Sequence, residues 1–175
     1  WSSDVCSSDL VAGYSLTSKT KRFNALVFGG EKATVMAGRQ KVLGHHNIRM
    51  IPVKDDMSHL FLVNKALDDS EIVSMPADRI IGSAKTVTAR FLGADARFPA
   101  GPFSVAAMKG LDVLAVNVMK TSARGYKVYV ARLSYDRRAP RRQQMQQLAD
   151  SYVKELERRV RQYPLQWFNF HDFWS

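Results

Sequence analysis

The stretch FLGADARFPAGPFSVAAMKG, residues 91–110, decides how the chain is read. It begins as the end of an alternating strand, breaks at Gly93, and runs through Arg97-Phe98-Pro99-Ala100-Gly101-Pro102 into a short apolar helix. Pro102 suits a helix's first position, where a missing N–H costs nothing and φ is already near the helical value. Gly101 just before it permits close backbone approach or an unusual φ. With Arg97 nearby, the N–H groups of that first turn form a cradle for a phosphate or carboxylate. The plainer reading of the same residues is a strand-to-helix turn with good turn chemistry.

Upstream, the rhythm is strand, helix, strand, helix, strand. Residues 23–28 (FNALVF) are a short apolar run closed by Gly29-Gly30, a buried strand by length and flanks. Residues 31–43 read as a helix stopped at Gly44. A strand over 48–53 ends in Lys54-Asp55-Asp56, and Ser58 or a neighbour caps a helix through Leu67, with Leu60, Val63 and Leu67 on one face. A third strand over 71–75 runs into Pro76-Ala77-Asp78-Arg79. Such alternation implies a parallel sheet with right-handed crossovers. In open α/β sheets, ligands collect at the carboxyl ends of the strands.

Downstream, the character changes. Residues 86–92 alternate, with Val87, Ala89 and Phe91 on one side. Two further strands, over 112–119 and 126–133, flank a hairpin loop at Ser122-Ala123-Arg124-Gly125. Pro140 opens the longest helix, to about Gln162, with Met145, Leu148, Tyr152, Leu156 and Val160 in one stripe that reads as core packing. The fold class expected is α/β, with a mixed, largely parallel sheet flanked by helices.

The chain has 175 residues, 46% hydrophobic and 24% charged, which suits one globular domain. Lys and Arg number 26 against 16 Asp and Glu, a formal charge of +10 that favours an anionic partner. Much of the excess sits in Arg137-Arg138-Ala139-Pro140-Arg141-Arg142 and in Arg158-Arg159-Val160-Arg161, runs that otherwise read as solvated helix faces. The single cysteine, Cys6, rules out a disulfide framework and a cysteine-based metal site. No apolar run reaches the roughly 18 residues of a spanning helix.

WSSDVCSSDL, residues 1–10, repeats Ser-Ser-Asp without amphipathic period or turn logic and resembles translated adapter sequence. It is read as a non-native leader, leaving residues 11–175 as the genuine part. The histidines do not pair with acids in the spacing of a general base and its orienting carboxylate. Five residues beyond His45, His46 and His59 stand Met50, Ile51 and Asn64, and His171 has no such residue. No zinc spacing, phosphate-binding glycine loop or dinucleotide fingerprint is present, so neither a metal nor a cofactor is expected. Asp78-Arg79 is the stronger constellation. A guanidinium at a strand's carboxyl end can grip phosphate or carboxylate bidentately, and Gly82 lets the chain turn close. An internal Asp–Arg brace is the alternative.

Together these blocks resemble the late acyltransferases of lipid A biosynthesis, in the version found in Bacteroidetes-type bacteria, within the wider glycerolipid acyltransferase group. That group places a His-(four residues)-Asp/Glu motif first, then a strand ending in Asp-Arg, then a Phe-Pro-x-Gly turn opening a helix. Pro76-Ala77-Asp78-Arg79 is similar to the second block and Phe98-Pro99-Ala100-Gly101-Pro102 to the third. The ending, from Tyr163-Pro164-Leu165-Gln166-Trp167-Phe168 to Trp174, is similar to the family's Pro-x-Gln-Trp-Phe-x-Phe motif. Ala100 stands where the wider group often has Glu, and the histidine motif is missing.

The resemblance implies a glycerolipid-acyltransferase-like fold in the C-terminal part of a single acyltransferase domain, cut after the catalytic histidine block and inactive as it stands. The implied reaction is acyl transfer from acyl-carrier protein or acyl-CoA to a hydroxyl of a lipid A precursor or lysophospholipid. Asp78, Arg79, Gly82, Arg97, Phe98, Pro99, Gly101 and Pro102 would form the substrate-binding wall. The basic surface and late aromatics would seat the protein on the anionic cytoplasmic face of the bacterial inner membrane, peripherally or through a segment absent here. Two rivals come from other classes. A nucleic-acid-binding α/β module is prompted by charge alone, but the arginines cluster on a helix rather than interleaving with sheet aromatics, so no nucleic acid is expected. A nucleotide-sugar transferase would need a divalent-metal acidic motif, for which Asp55-Asp56 and Asp68-Asp69 are weak candidates.

Overall fold

A computed structural model describes residues 20–28, 47–53, 56, 58–80, 85–123, 125–167 and 174. The helix expected over 31–43 lies outside the described residues. The chain divides into two compact units, Trp1–Pro76 and Ala77–Ser175.

In the first unit, β1 (Phe23–Phe28) is the central strand of a parallel sheet, between β2 (Ile48–Val53) and β3 (Ile72–Ser74). β1 and β2 run in register from Phe23 opposite Ile48 to Phe28 opposite Val53. β3 is shorter than the strand expected over 71–75, pairing with Phe23, Asn24 and Ala25 only. Helix α1 (His59–Asp68) packs on β2 and β3 and buries His59, Val63 and Ala66. The buried face is thus turned one residue from the expected Leu60, Val63 and Leu67, and Ser58 sits at the N-cap without a side-chain cap bond. Asn24 is fully buried on the central strand, where its amide nitrogen donates to Glu71 Oε2 at 2.9 Å and Ile72 O at 3.2 Å. Two acceptors held by one amide nitrogen pin β3 beside β1, because leaving that buried donor unpartnered would cost about 1–3 kcal/mol.

Among the described residues, the second unit holds two antiparallel hairpins and two α-helices. β4 (Thr86–Phe91) pairs with β5 (Ala94–Pro99), with Val87 opposite Phe98 and Phe91 opposite Ala94. The sequence predicts a break at Gly93 and no strand over residues 94–99. The β5 sequence, Ala-Asp-Ala-Arg-Phe-Pro, is poor in β-formers, and the hairpin turn uses Leu92 at φ 52°, a non-glycine residue in the left-handed region, beside Gly93 at φ 94°. β6 (Val113–Lys120) and β7 (Tyr126–Leu133) form the second hairpin, as the sequence predicts. The α/β class therefore stands, with parallel pairing in the first unit and antiparallel pairing in the second.

Helix α2 (Ala100–Lys109) ends at Gly110, whose φ of 62° gives the left-handed cap, with its N–H on Ala106 O. Helix α3 (Arg141–Gln162) starts directly after Pro140 and packs on α2, β4, β6 and β7. Its buried stripe is Leu148, Ala149, Val153, Leu156 and Val160, with Met145 and Tyr152 partly covered at the margin. That stripe is core, joined to Phe91, Phe98, Phe103, Ala115 and Leu133 in one cluster. Each large aliphatic or aromatic side chain buried there contributes about 1.5–3 kcal/mol of hydrophobic stabilisation.

Phe91 is the aromatic centre of the unit. Its ring meets Phe98 edge-on at 5.9 Å and Trp167 edge-on at 5.1 Å, and stacks on Trp174 at 6.1 Å. The late aromatics that the structure describes pack back on the core. Residues 168–173, including His171, lie outside the described residues.

Candidate acyltransferase site

The loop after β3 enters the second unit at Ala77, which packs against the core cluster. Asp78 follows, partly buried, and Arg79 is exposed. Burial first, and the Asp78 charge second, push the Tyr152 phenol well above its ordinary range, so it is a neutral hydroxyl at physiological pH. Tyr152 meets Phe98 edge-on at 6.4 Å and Phe103 at 5.7 Å. Ala77, next to Asp78, and Tyr152 of α3 thus pack on the same core cluster as Phe98 and Phe103, on either side of the Pro99–Pro102 turn.

That turn differs in detail from the sequence reading. Pro99 is the N-cap of α2, with φ −64° and ψ 126°, and Pro102 is the third helical residue rather than the first. Proline fits there because the first four N–H groups of a helix have no intrahelical acceptor. The anion cradle is correspondingly narrower. Ala100 N–H donates to Lys85 O at 2.8 Å and Pro102 has no N–H, leaving Gly101 as the remaining donor among the first three helical positions. Gly101 is exposed, and a Cβ built on it would meet nothing within 4 Å. Its value is open space in front of the backbone, not an unusual φ.

Phe98 and Pro99 are buried, with the Phe98 ring wholly in the core, so both shape the turn from behind. Arg97 is exposed on β5, opposite Thr88, and Pro102 is partly buried. Gly82 lies outside the described residues. The strands leading to the two blocks belong to different sheets, β3 to the parallel one and β5 to a hairpin, rather than to one shared sheet edge. Among the described residues no group of three His, Cys, Asp or Glu could hold a metal ion, and no helix is long and apolar enough to cross a membrane.

The closing motif has a structural role that the sequence did not disclose. After the single 3-10 turn Pro164–Gln166, the Gln166 side chain accepts from Lys120 N and donates to Lys120 O, each at 2.8 Å. Trp167 then enters against Phe91. The motif clasps the end of β6 and fills the core beside β4.

A family model described as bacterial lipid A biosynthesis acyltransferase matches residues 32–175. The chain belongs to that family. The match covers the Asp-Arg loop, the Phe-Pro-x-Gly turn and the closing motif together, and it makes this an acyltransferase-family protein. A search of curated proteins found no significant match.

The basic runs, read as solvated faces, divide between surface and interior in this acyltransferase-family chain. Arg137 Nη2 and Arg132 Nη2 meet Asp112 Oδ1 at 2.6 Å and 2.7 Å, and the Arg132 hydrogen bond, ahead of the two positive charges, holds the Asp112 carboxyl below its usual range. Arg141 Nη1 donates to Met108 O at 2.9 Å, tying the start of α3 to the end of α2. Arg158 and Arg161 are exposed, but Arg159 is only 5% exposed.

Proposed function

We propose that this chain serves acyl transfer from an acyl-carrier-protein or acyl-CoA thioester to a hydroxyl of a lipid A precursor or a lysophospholipid. The observation that carries the reading is the family match over residues 32–175, which takes in both the Asp78-Arg79 loop and the Phe98–Pro102 turn, with Ala77, Phe98, Phe103 and Tyr152 packed in one cluster. In the reaction the acceptor oxygen attacks the thioester carbonyl, a tetrahedral oxyanion forms, and the thiol departs with a proton. Arg79, exposed at the loop, is suited to hold a phosphate of donor or acceptor, with Asp78 restraining the loop. The N–H of Gly101 at the start of α2 is the candidate for charge on the transferring group.

The base that takes the hydroxyl proton would be the histidine of a His-(four residues)-Asp/Glu pair, a spacing that no histidine of these 175 residues has. General-base assistance is worth about 10²–10⁴-fold in rate, so the 175-residue chain is expected to bind reactants and transfer little. The charge of +10 suits an acidic carrier protein and the anionic cytoplasmic face of the inner membrane.

The test is binding of a non-hydrolysable acyl-carrier-protein thioester analogue and of a micellar lipid A precursor, each to the chain and to Arg79→Ala. At least one ligand should bind, and binding should weaken about tenfold in the variant without a change in melting temperature, as loss of one charge-assisted contact implies. Equal binding by both proteins, or preference for single-stranded nucleic acid over either ligand, would sink the reading.

A further inference from the structure

A cavity of about 310 Å³ opens between the second hairpin and the last turns of α3, away from the blocks described above. Its lining includes Asn117, Lys127 and Tyr129 from the hairpin and Arg158, Arg159 and Gln162 from the helix, with Glu155 as the acidic member. Arg159 is the unusual residue. It is 5% exposed, its guanidinium carbon lies 4.0 Å from the centroid of the Tyr129 ring, and its Nη1 donates to Gln162 Oε1 at 2.8 Å. Its Nε is buried and has no hydrogen-bond partner. The nearest carboxylate, Glu155, stands 3.9 Å from Nη2, too far for a hydrogen bond, and is also 3.9 Å from Arg158.

A buried guanidinium is expensive unless its donors and its charge are met. The ring of Tyr129 meets part of the charge, and the C-terminal end of the α3 dipole meets a further part. Lys127 and Arg158 then add two exposed cations at the mouth, against the single carboxylate of Glu155. The field is felt by the phenols. A hydrogen bond of 2.7 Å to Tyr163, with Lys127 and Arg159 assisting, holds Tyr129 below the usual phenol range. The cavity therefore has an excess of positive charge and room for a small oxyanion, beside a guanidinium whose buried Nε is unpartnered.

We propose that this cavity is a binding site for a phosphate monoester group, with Lys127 and Arg158 at its mouth and Arg159 at its base. Arg159 supplies a planar donor set at the end of the cavity, matched to tetrahedral oxyanions. Such a group comes either from a soluble phosphate compound or from a phosphomonoester lipid headgroup. The site is independent of the acyl-transfer reading, since none of its residues belongs to the Asp78–Arg79 loop or the Pro99–Pro102 turn.

The experiment uses the whole chain and no acyl donor. Inorganic phosphate is titrated by calorimetry, and binding is measured to phosphatidylcholine vesicles with and without phosphatidic acid. Two double variants each remove two exposed cations: Lys127→Gln with Arg158→Gln at the cavity, and Arg138→Gln with Arg142→Gln elsewhere. Saturable binding should weaken at least tenfold in the first and under twofold in the second. Binding of free phosphate as well as phosphatidic acid identifies a soluble source, and binding of phosphatidic acid vesicles alone identifies a lipid one. Equal losses in the two variants, or no saturable binding of either probe, overturn the proposal.

Discussion

The side-chain amide of Gln166 bonds both backbone groups of Lys120, donor to acceptor and acceptor to donor, at 2.8 Å each. An adjoining strand would satisfy the last residue of β6 in the same way. Gln166→Ala removes both bonds and is expected to cost about 1–3 kcal/mol. Gln166→Glu keeps the acceptor but sets an oxygen against Lys120 O, and should be no milder at neutral pH. Chemical denaturation of the three proteins checks this, and an unchanged midpoint in both variants would show the clasp to be ornamental.

Glu157 makes a second link of this kind. Its carboxylate accepts from Leu92 N at 2.9 Å in the β4–β5 turn and pairs with Arg161 at 2.7 Å. The Leu92 hydrogen bond first, then Arg161, hold the Glu157 carboxyl below its ordinary value. A depressed folded value gives stability that is fully present above the unperturbed glutamate range, about pH 4.3, and is lost as pH falls through the folded value. Glu157→Gln should therefore lower the melting temperature at neutral pH, and the gap to wild type should close in acid. A gap that is constant with pH would contradict it.

Gly93, at φ 94°, has open space where a Cβ would be built, so any penalty at this position is conformational rather than steric crowding. Gly93→Ala is expected to destabilise by roughly 1–2 kcal/mol through the left-handed backbone alone. Unfolding in denaturant measures it, and an alanine variant as stable as wild type would mean that the turn relaxes to another form.

Tyr163→Phe removes the hydrogen bond that is the largest influence lowering the Tyr129 phenol. The Tyr129 titration should then move upward toward the ordinary phenol range. Absorbance titration near the tyrosinate band reads this directly, and an unmoved titration would assign the lowering to Lys127 and Arg159 instead.

What could be read in advance followed the strength of local signals. β1, β2, β6 and β7 are apolar or alternating runs between turn residues, and their bounds were close to those observed. β5 was hidden because Asp95 and Pro99 are poor strand residues and its pairing depends on Leu92 adopting a backbone that sequence preference disfavours. Helix α3 was plain from Pro140 onward, but Arg159 passed as part of a solvated run. Its position three residues after Leu156 and beside Val160 was the available signal, since residues three apart share a helix face. In the candidate acyltransferase site, Asp78 and Arg79 were visible as residue types at a strand end. The packing of Ala77 and Tyr152 on one core cluster spans 75 positions of sequence and belongs to tertiary structure, which no local pattern carries.

The two hairpins of the second unit share no hydrogen-bonded edge among the described strands, and α3 packs on both. A helix in that position acts as an axle rather than a cover. Interrupting it near Leu148 or Val153 would free two hairpins at once instead of fraying one end, because an isolated two-stranded hairpin is marginal in water. Amide exchange in β4, β5, β6 and β7 should accordingly be governed by the opening of α3, making the unit one cooperative block despite its divided sheets.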